Sequence, residues 1–165
     1  MSYSKTQRGI SLIEVLVASA VITVSLAALT SLVQVSSRIL SESVKKAQAQ
    51  SLAGEGIEAV RIMRDAGWSV NVVLLATSTP YYPVFSTTTS AWTLTATNPG
   101  AVDGVFTRTI VFHDVYRRVS DSDIVASTSP DTKAIDVGTR EVVSLVTWGS
   151  RSVSFSAYLS NLFSN

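Results

Sequence analysis

Glu14 is the residue whose placement most needs a chemical reason. It stands in QRGISLIEVLVASAVITVSL, residues 7–26, five residues into an apolar run that opens at Ile10 directly after Gly9. Lys5 and Arg8 lie before the run, and no charged residue occurs from Val15 to Ser37. An ionisable group at the centre of a bilayer costs about 2.5–3.5 kcal/mol, and less near the edge. In the first turn of a helix the peptide dipole favours a carboxylate by about 0.3–1 kcal/mol. An interfacial acid at the start of an anchor is therefore the bland reading of Glu14.

The run that carries it is long enough to cross a membrane, which takes about 20 mostly apolar residues as a helix. The chain has 165 residues, 46% of them hydrophobic and 15% charged, and much of the apolar excess sits in this run. Ser19, Thr23, Ser25, Thr30, Ser31, Gln34, Ser36 and Ser37 interrupt it. Hydroxyls in a helix bond back to the preceding turn, and small polar residues suit helix–helix contact in lipid. A secretory signal peptide has a shorter apolar stretch of about 7–15 residues, with its small residues after that stretch. Here Gly9 comes first. A plain single-pass anchor accounts for the length and leaves Glu14 to the interface.

Leader, glycine, apolar helix and acid together resemble the start of type IV pilins and pseudopilins, whose precursors have a short basic leader ending in Gly and a mature helix with Glu at its fifth position. The leader here is MSYSKTQRG, with Lys5 and Arg8, and the mature start is ISLIEVLVASAVITVSLAALTSLV. The resemblance implies a prepilin peptidase that cleaves between Gly9 and Ile10 and methylates the amine of Ile10. It also implies that the helix stays in the bilayer until the subunit joins a filament. Cleavage leaves a cationic amine, which is costly to bury unless paired. Glu14 of the same or a neighbouring subunit supplies the partner. Such a pair adds little net stability but can fix axial register. Three features depart from the family habit. Ile10 stands where Phe is usual, and Ser31 where many members carry Pro. With no Cys in the chain, the C-terminal loop that many members close with a disulfide must be held in another way.

Beyond Arg38 the helical pattern continues through RILSESVKKAQAQSLAGEGIEAVRIMRDAGW. Leu52, Ala53, Gly56, Ile57, Val60 and Met63 share one face, opposite Glu55, Glu58, Arg61 and Asp65. A shorter stripe, Leu40, Val44 and Ala47, is offset by about half a turn. The upper stripe is expected to pack on the protein's own sheet and the lower one to face neighbouring helices. Gly54 and Gly56 weaken the helix and are expected to mark a close approach or a bend, and Gly67 is expected to end it. EGIEAVRIMRDAGW also resembles the matching segment of minor pilins.

After Trp68 the chain is rich in Val, Thr, Ser and aromatics. It reads as a loop and a strand near 92–97, a longer strand in GVFTRTIVFHDVYRR, a surface loop over 119–139, and a C-terminal hairpin turning at Gly149-Ser150. Val153, Phe155, Ala157 and Leu159 alternate with Ser152, Ser154, Ser156 and Ser160, the mark of a half-buried strand. The expected fold is α+β, a long N-terminal helix on a small antiparallel sheet of about four strands. The expected segments are a leader 1–9, a membrane and filament-core helix 10–37, an amphipathic continuation 38–67 and a β-rich head 68–165.

Nothing else in the chain makes a chemical centre. His113, the one histidine, has Asp114 beside it in a strand, so the two point to opposite faces. No cofactor is expected. Asp121 and Asp123 are weak calcium candidates, with Asp131 and Asp136 behind them, and their spacing matches no defined calcium loop. Solvated loop acids are the plainer reading. The formal charge of +1 falls to −1 when Lys5 and Arg8 leave with the leader. A basic patch of Arg117 and Arg118, with Arg108, Arg140 or Arg151, is thin, which argues against DNA as a partner. The run 86–90, STTTS, reads as a polar loop or a glycan site.

The expected function is non-enzymatic: a type IV pilus-like filament subunit, a minor pilin. The rival within the class is a pseudopilin of a type II secretion system. The rival outside it is an unprocessed membrane-anchored surface-binding domain. The resemblance implies prepilin peptidase, other pilin subunits, an inner-membrane assembly platform and the lipid bilayer as partners. It places the leader in the bacterial cytoplasm and the head outside, first at the inner membrane and then in an extracellular or periplasmic filament. Basic residues do not decide the orientation, because Arg38, Lys45 and Lys46 flank the far end.

Overall fold

Helical and strand periodicities divide the molecule as the side chains require. The computed structural model describes residues 11–162. Helix α1 spans Leu12–Ala66 and a short helix α2 spans Trp68–Asn71. Six strands follow: β1 Pro80–Ser86, β2 Ala91–Thr95, β3 Thr107–Arg118, β4 Ile124–Val125, β5 Lys133–Trp148 and β6 Arg151–Ser160. The chain separates into two compact units, Met1–Val44 and Lys45–Asn165. Residues 12–44 of α1 belong to the first and 45–66 to the second.

In the second unit every paired neighbour is antiparallel, in the order β2-β1-β3-β5-β6, with β4 on β3. The fold is α+β, with six strands in place of about four. The extra ones have physical reasons. PYYPVFS carries two prolines and reads as a loop, yet Pro80 is the first residue of β1 and Pro83 falls where β1 has already left β3. The polar segment 119–139 is not all loop, because Ile124 and Val125 form β4 against Tyr116 and Arg117. From Lys133 onward it is the start of β5. α2 is a single turn that the Val- and Ser-rich composition after Gly67 does not reveal.

Alternation builds the core. Ile110 and Phe112 of β3 and Val142, Ser144 and Val146 of β5 turn toward α1, where Ala49, Ala53, Gly56, Ile57, Val60 and Met63 are buried. Glu55, Glu58, Arg61 and Asp65 are exposed. The upper stripe is thus the sheet-packing face, as its spacing predicts. Gly56 is the closest approach. A Cβ there would stand 2.4 Å from Ser144 Oγ, 3.0 Å from Ile110 Cδ1 and 3.3 Å from Ser144 Cβ. Gly149 takes φ 55° in the two-residue turn between β5 and β6, the position where a type II′ hairpin calls for glycine.

One charged residue joins this core. Arg108 shares the inward parity of Ile110 and Phe112 and is 7% exposed. Its Nη1 donates to Glu55 Oε2 at 2.9 Å and to the Leu52 carbonyl at 3.3 Å, and its guanidinium lies 5.4 Å from the Trp92 ring centroid. The arginine therefore ties helix, central strand and edge hairpin together. Glu55→Gln would leave a buried cation short of its counter-charge, at a cost of about 1–3 kcal/mol given that the carboxylate is half exposed. The surface pair of Glu58 and Arg61 should contribute only about 0–1 kcal/mol. Urea titration of the two single variants, Glu55→Gln and Glu58→Gln, is expected to place the first clearly below the second in stability.

Candidate processing and assembly segment

The first described turn of α1 is closed by Ser11, whose carbonyl accepts from the N–H of Glu14 at 2.9 Å and of Val15 at 3.3 Å. Glu14 sits in that turn with its side chain exposed, where the helix dipole favours a carboxylate. Along 12–44 the large apolar side chains are uncovered, from Leu12 at 85% exposure down to Val44 at 51%. α1 is long and apolar enough to cross a membrane.

Five of the hydroxyls within this segment are satisfied by the helix itself. The hydroxyls of Ser19, Thr23, Ser25, Thr30 and Ser31 donate to the carbonyls of Leu16, Ser19, Val21, Ala27 and Ala27, at 2.8–2.9 Å. Such back-bonding satisfies a hydroxyl at little cost to the helix. Residues 12–37 thus offer lipid or other helices a largely apolar surface with one carboxylate, Glu14, near its start. Gly9 and Ile10, the expected cleavage pair, and Lys5 and Arg8 of the leader lie outside the described residues.

The loop acids are committed to arginines. Asp121 Oδ2 accepts from Arg118 Nη1 at 2.7 Å, and Asp131 Oδ2 from Arg118 Nε at 3.1 Å and Ser129 Oγ at 2.9 Å. Arg117 Nε donates to Asp136 Oδ2 at 2.7 Å while its Nη1 reaches the Ser122 carbonyl at 2.8 Å. Lys133 Nζ donates to the Ser129 carbonyl. Asp123 gives its backbone N–H to Asp121 Oδ1. Of the calcium candidates, Asp121 is paired with Arg118, and no group of three His, Cys, Asp or Glu residues that could hold a metal ion is found among the described residues. The candidate basic patch is dispersed in the same way. Arg108 is buried against Glu55, and Arg140 pairs with Asp114.

This network closes the β3–β5 loop without a disulfide. It also gives the loop a pH dependence with a definite sign. The hydrogen bond from Ser129, then that from Arg118, lowers the Asp131 pKa, and the hydrogen bond from Arg117 lowers that of Asp136. A carboxylate with a depressed folded pKa binds fewer protons folded than unfolded. Its stabilisation is full above the ordinary value near 3.8 and disappears as pH falls through the folded value. Limited proteolysis within 119–132 is expected to be slow at pH 5 and to accelerate below about pH 4. With Asp131→Asn and Asp136→Asn combined, cleavage should be fast at both.

His113 lies opposite Glu141 in the β3–β5 register, and Glu141 lies opposite Tyr158 in β5–β6. The three form a cross-strand row on the face turned away from α1, along an open cleft of about 510 Å³ walled by Ile124–Ser127. Asp114 belongs to the other face, next to a register shift. β5 there skips Val137, Gly138 and Thr139 between the partners of Asp114 and Val115. His113 and Asp114 are thus held apart, as strand alternation requires. The run 86–90 is the turn between β1 and β2.

Several structural determinants were not singled out from the sequence. Arg108 as a core residue was legible from its even spacing with Ile110 and Phe112. The pairing of Arg117 and Arg118 with acids 3 to 19 residues away had no local signal. The fit of Gly56 on Ser144 needed the three-dimensional register.

Residues 4–30 match the family model described as the prokaryotic N-terminal methylation motif, a signature of type IV prepilins. No curated protein and no solved structure matches the chain.

Proposed function

From the premise that the chain carries the N-terminal methylation motif of a type IV pilin-like or pseudopilin precursor, we propose that it is a structural subunit of a type IV pilus-like filament, a minor pilin. The observation that carries this reading is the coincidence of that motif with an uncovered apolar stretch of α1, residues 12–37, whose one acid stands near its start. Prepilin peptidase cuts between Gly9 and Ile10 and methylates the new amine. The helix then leaves the bilayer for the filament core, delivered by an inner-membrane platform. There the amine of one subunit meets Glu14 of another. Both charges are desolvated, so the pair sets register more than it adds stability. The role is mechanical and needs no catalytic centre. The head is carried outside the cytoplasm.

The same precursor motif serves pseudopilins of type II secretion systems. The likeness of EGIEAVRIMRDAGW to minor pilins favours the pilus. The test is recovery of the chain in filaments sheared from cells that express prepilin peptidase and the assembly platform. The unaltered chain should appear there shortened by its leader. Gly9→Val should stay in the membrane at full length. A Gly9→Val chain that still reaches the filaments would overturn the reading. Recovery only in a secretion pseudopilus would move the protein to the rival class.

A further inference from the structure

Of the acids in the unit Lys45–Asn165, Asp114, Asp136 and Glu141 are the half-buried ones among the described residues. Asp114 is paired with Arg140 and Asp136 with Arg117. Glu141 has no ion pair among the described residues. A carboxylate drawn part-way out of water without a partner is costly, and a cation set against it offsets that cost. We propose that the cleft in which Glu141 stands binds a primary alkylammonium group, carried by a free amine or by the lysine side chain of another protein.

Antiparallel register builds the site. His113 faces Glu141 across β3 and β5, and Glu141 faces Tyr158 across β5 and β6. Directly opposed side chains stand about 4.5–5.5 Å apart at Cβ. The carboxylate therefore has an imidazole on one side and a phenol ring on the other. Tyr158 is 55% exposed, so its ring is open to a cation, which an aromatic face attracts within about 6 Å. Val115, two residues beyond His113 on the same face, is 2% exposed, and Ile124 and Val125 wall that end. An ammonium head at Glu141 with its stem along Val115 and Ile124 matches this change from polar to apolar. The volume of about 510 Å³ falls in the range of small-ligand sites, about 300–1,000 Å³.

Charge excludes the opposite class of ligand. No lysine or arginine lines the cleft. Its second acid, Asp114, is neutralised by Arg140. Lys133, close by in sequence to the wall, is held by the Ser129 carbonyl and lies 5.9 Å from the Tyr116 ring centroid. The remaining charge is that of Glu141, which repels phosphates, carboxylates and nucleic acids.

His113 is the one histidine in the chain, so its imidazole proton resonances report on the cleft alone. The experiment adds butylamine, at fixed pH and ionic strength, to the full chain in non-ionic detergent and follows those resonances by NMR. A saturable shift in the millimolar range is expected. Butanol, of the same length without the charge, should give none over the same concentrations. Glu141→Gln should weaken butylamine about tenfold or more, and Tyr158→Leu about two- to fivefold, with the thermal melt of the head unchanged. A lysine blocked at both ends separates the two sources. Tighter binding than butylamine supports a lysine of another protein, and weaker binding supports a free amine. The absence of a saturable shift, an equal response to butanol, or unaltered affinity in Glu141→Gln would overturn the proposal. If Glu141→Gln unfolds the head, Tyr158→Leu decides, and unaltered affinity there overturns it.

Discussion

Glu14→Ala is expected to leave the chain cleaved, membrane-inserted and folded, yet to remove it from filaments. The apolar surface of 12–44 is unchanged by the substitution, and Glu14 lies outside the unit that carries the sheet. On the proposed function, what is lost is the counter-charge for the amine of Ile10. Leaving one charge of a buried pair without its partner costs about 3–5 kcal/mol. At about 1.4 kcal/mol per factor of ten, incorporation should fall by roughly two to three and a half orders of magnitude. Glu14→Gln keeps the size and removes the charge, and it should fail nearly as badly. Immunoblots of sheared filaments against whole-cell samples read both. Normal incorporation of Glu14→Gln would show that the charge has no role in assembly. The thermal melt of the head should be the same in all three chains.

Gly56→Ala should be the most damaging single methyl group in the head. The new Cβ would fall 2.4 Å from Ser144 Oγ and 3.0 Å from Ile110 Cδ1, both fixed by central strands. Overpacking of this kind costs about 1–3 kcal/mol. Alanine recovers up to about 1 kcal/mol of helix propensity over glycine. The net loss is about 1–2 kcal/mol, or about 3–10 °C in melting temperature for a domain of this size. Ser144 supplies the control. Its Oγ is buried with no hydrogen-bond partner among the described residues, so Ser144→Ala should be neutral or slightly stabilising. The double variant should recover part of the loss, because the nearest obstacle is gone and Ser144 Cβ at 3.3 Å remains. A double variant as unstable as Gly56→Ala alone would mean that Ile110, not Ser144, sets the limit.

What the sequence makes legible follows from how local each cause is. The end of α1 is written in Gly67, and its buried face in the spacing from Ala53 to Met63. The β5–β6 hairpin is written in Gly149-Ser150 and the serine alternation after it. Glu14 is conspicuous because nothing charged follows it for more than twenty residues. Other features depend on partners far along the chain. β1 looks unlike a strand because of Pro83, and only the departure of β1 from β3 makes that residue tolerable. The first residues of β5 look like loop because Asp136 and Gly138 are polar and flexible. Arg117 pairs the acid, and Asp136 Oδ1 accepts the Gly138 N–H at 2.9 Å beside the register shift. Composition shows that no disulfide can hold this loop, and the arginine–aspartate network that ties it requires the fold.

Processing at Gly9 is the step on which the filament role depends. Intact mass with N-terminal peptide mapping, on protein extracted from its native membrane or filaments, tests it most directly. The expected result is a chain that begins at Ile10 and carries one additional methyl group on its amine. A chain that still begins at Met1 or Ser2, in cells whose prepilin peptidase is active, would contradict it. Glu14 would then be an interfacial acid and the protein an anchored domain.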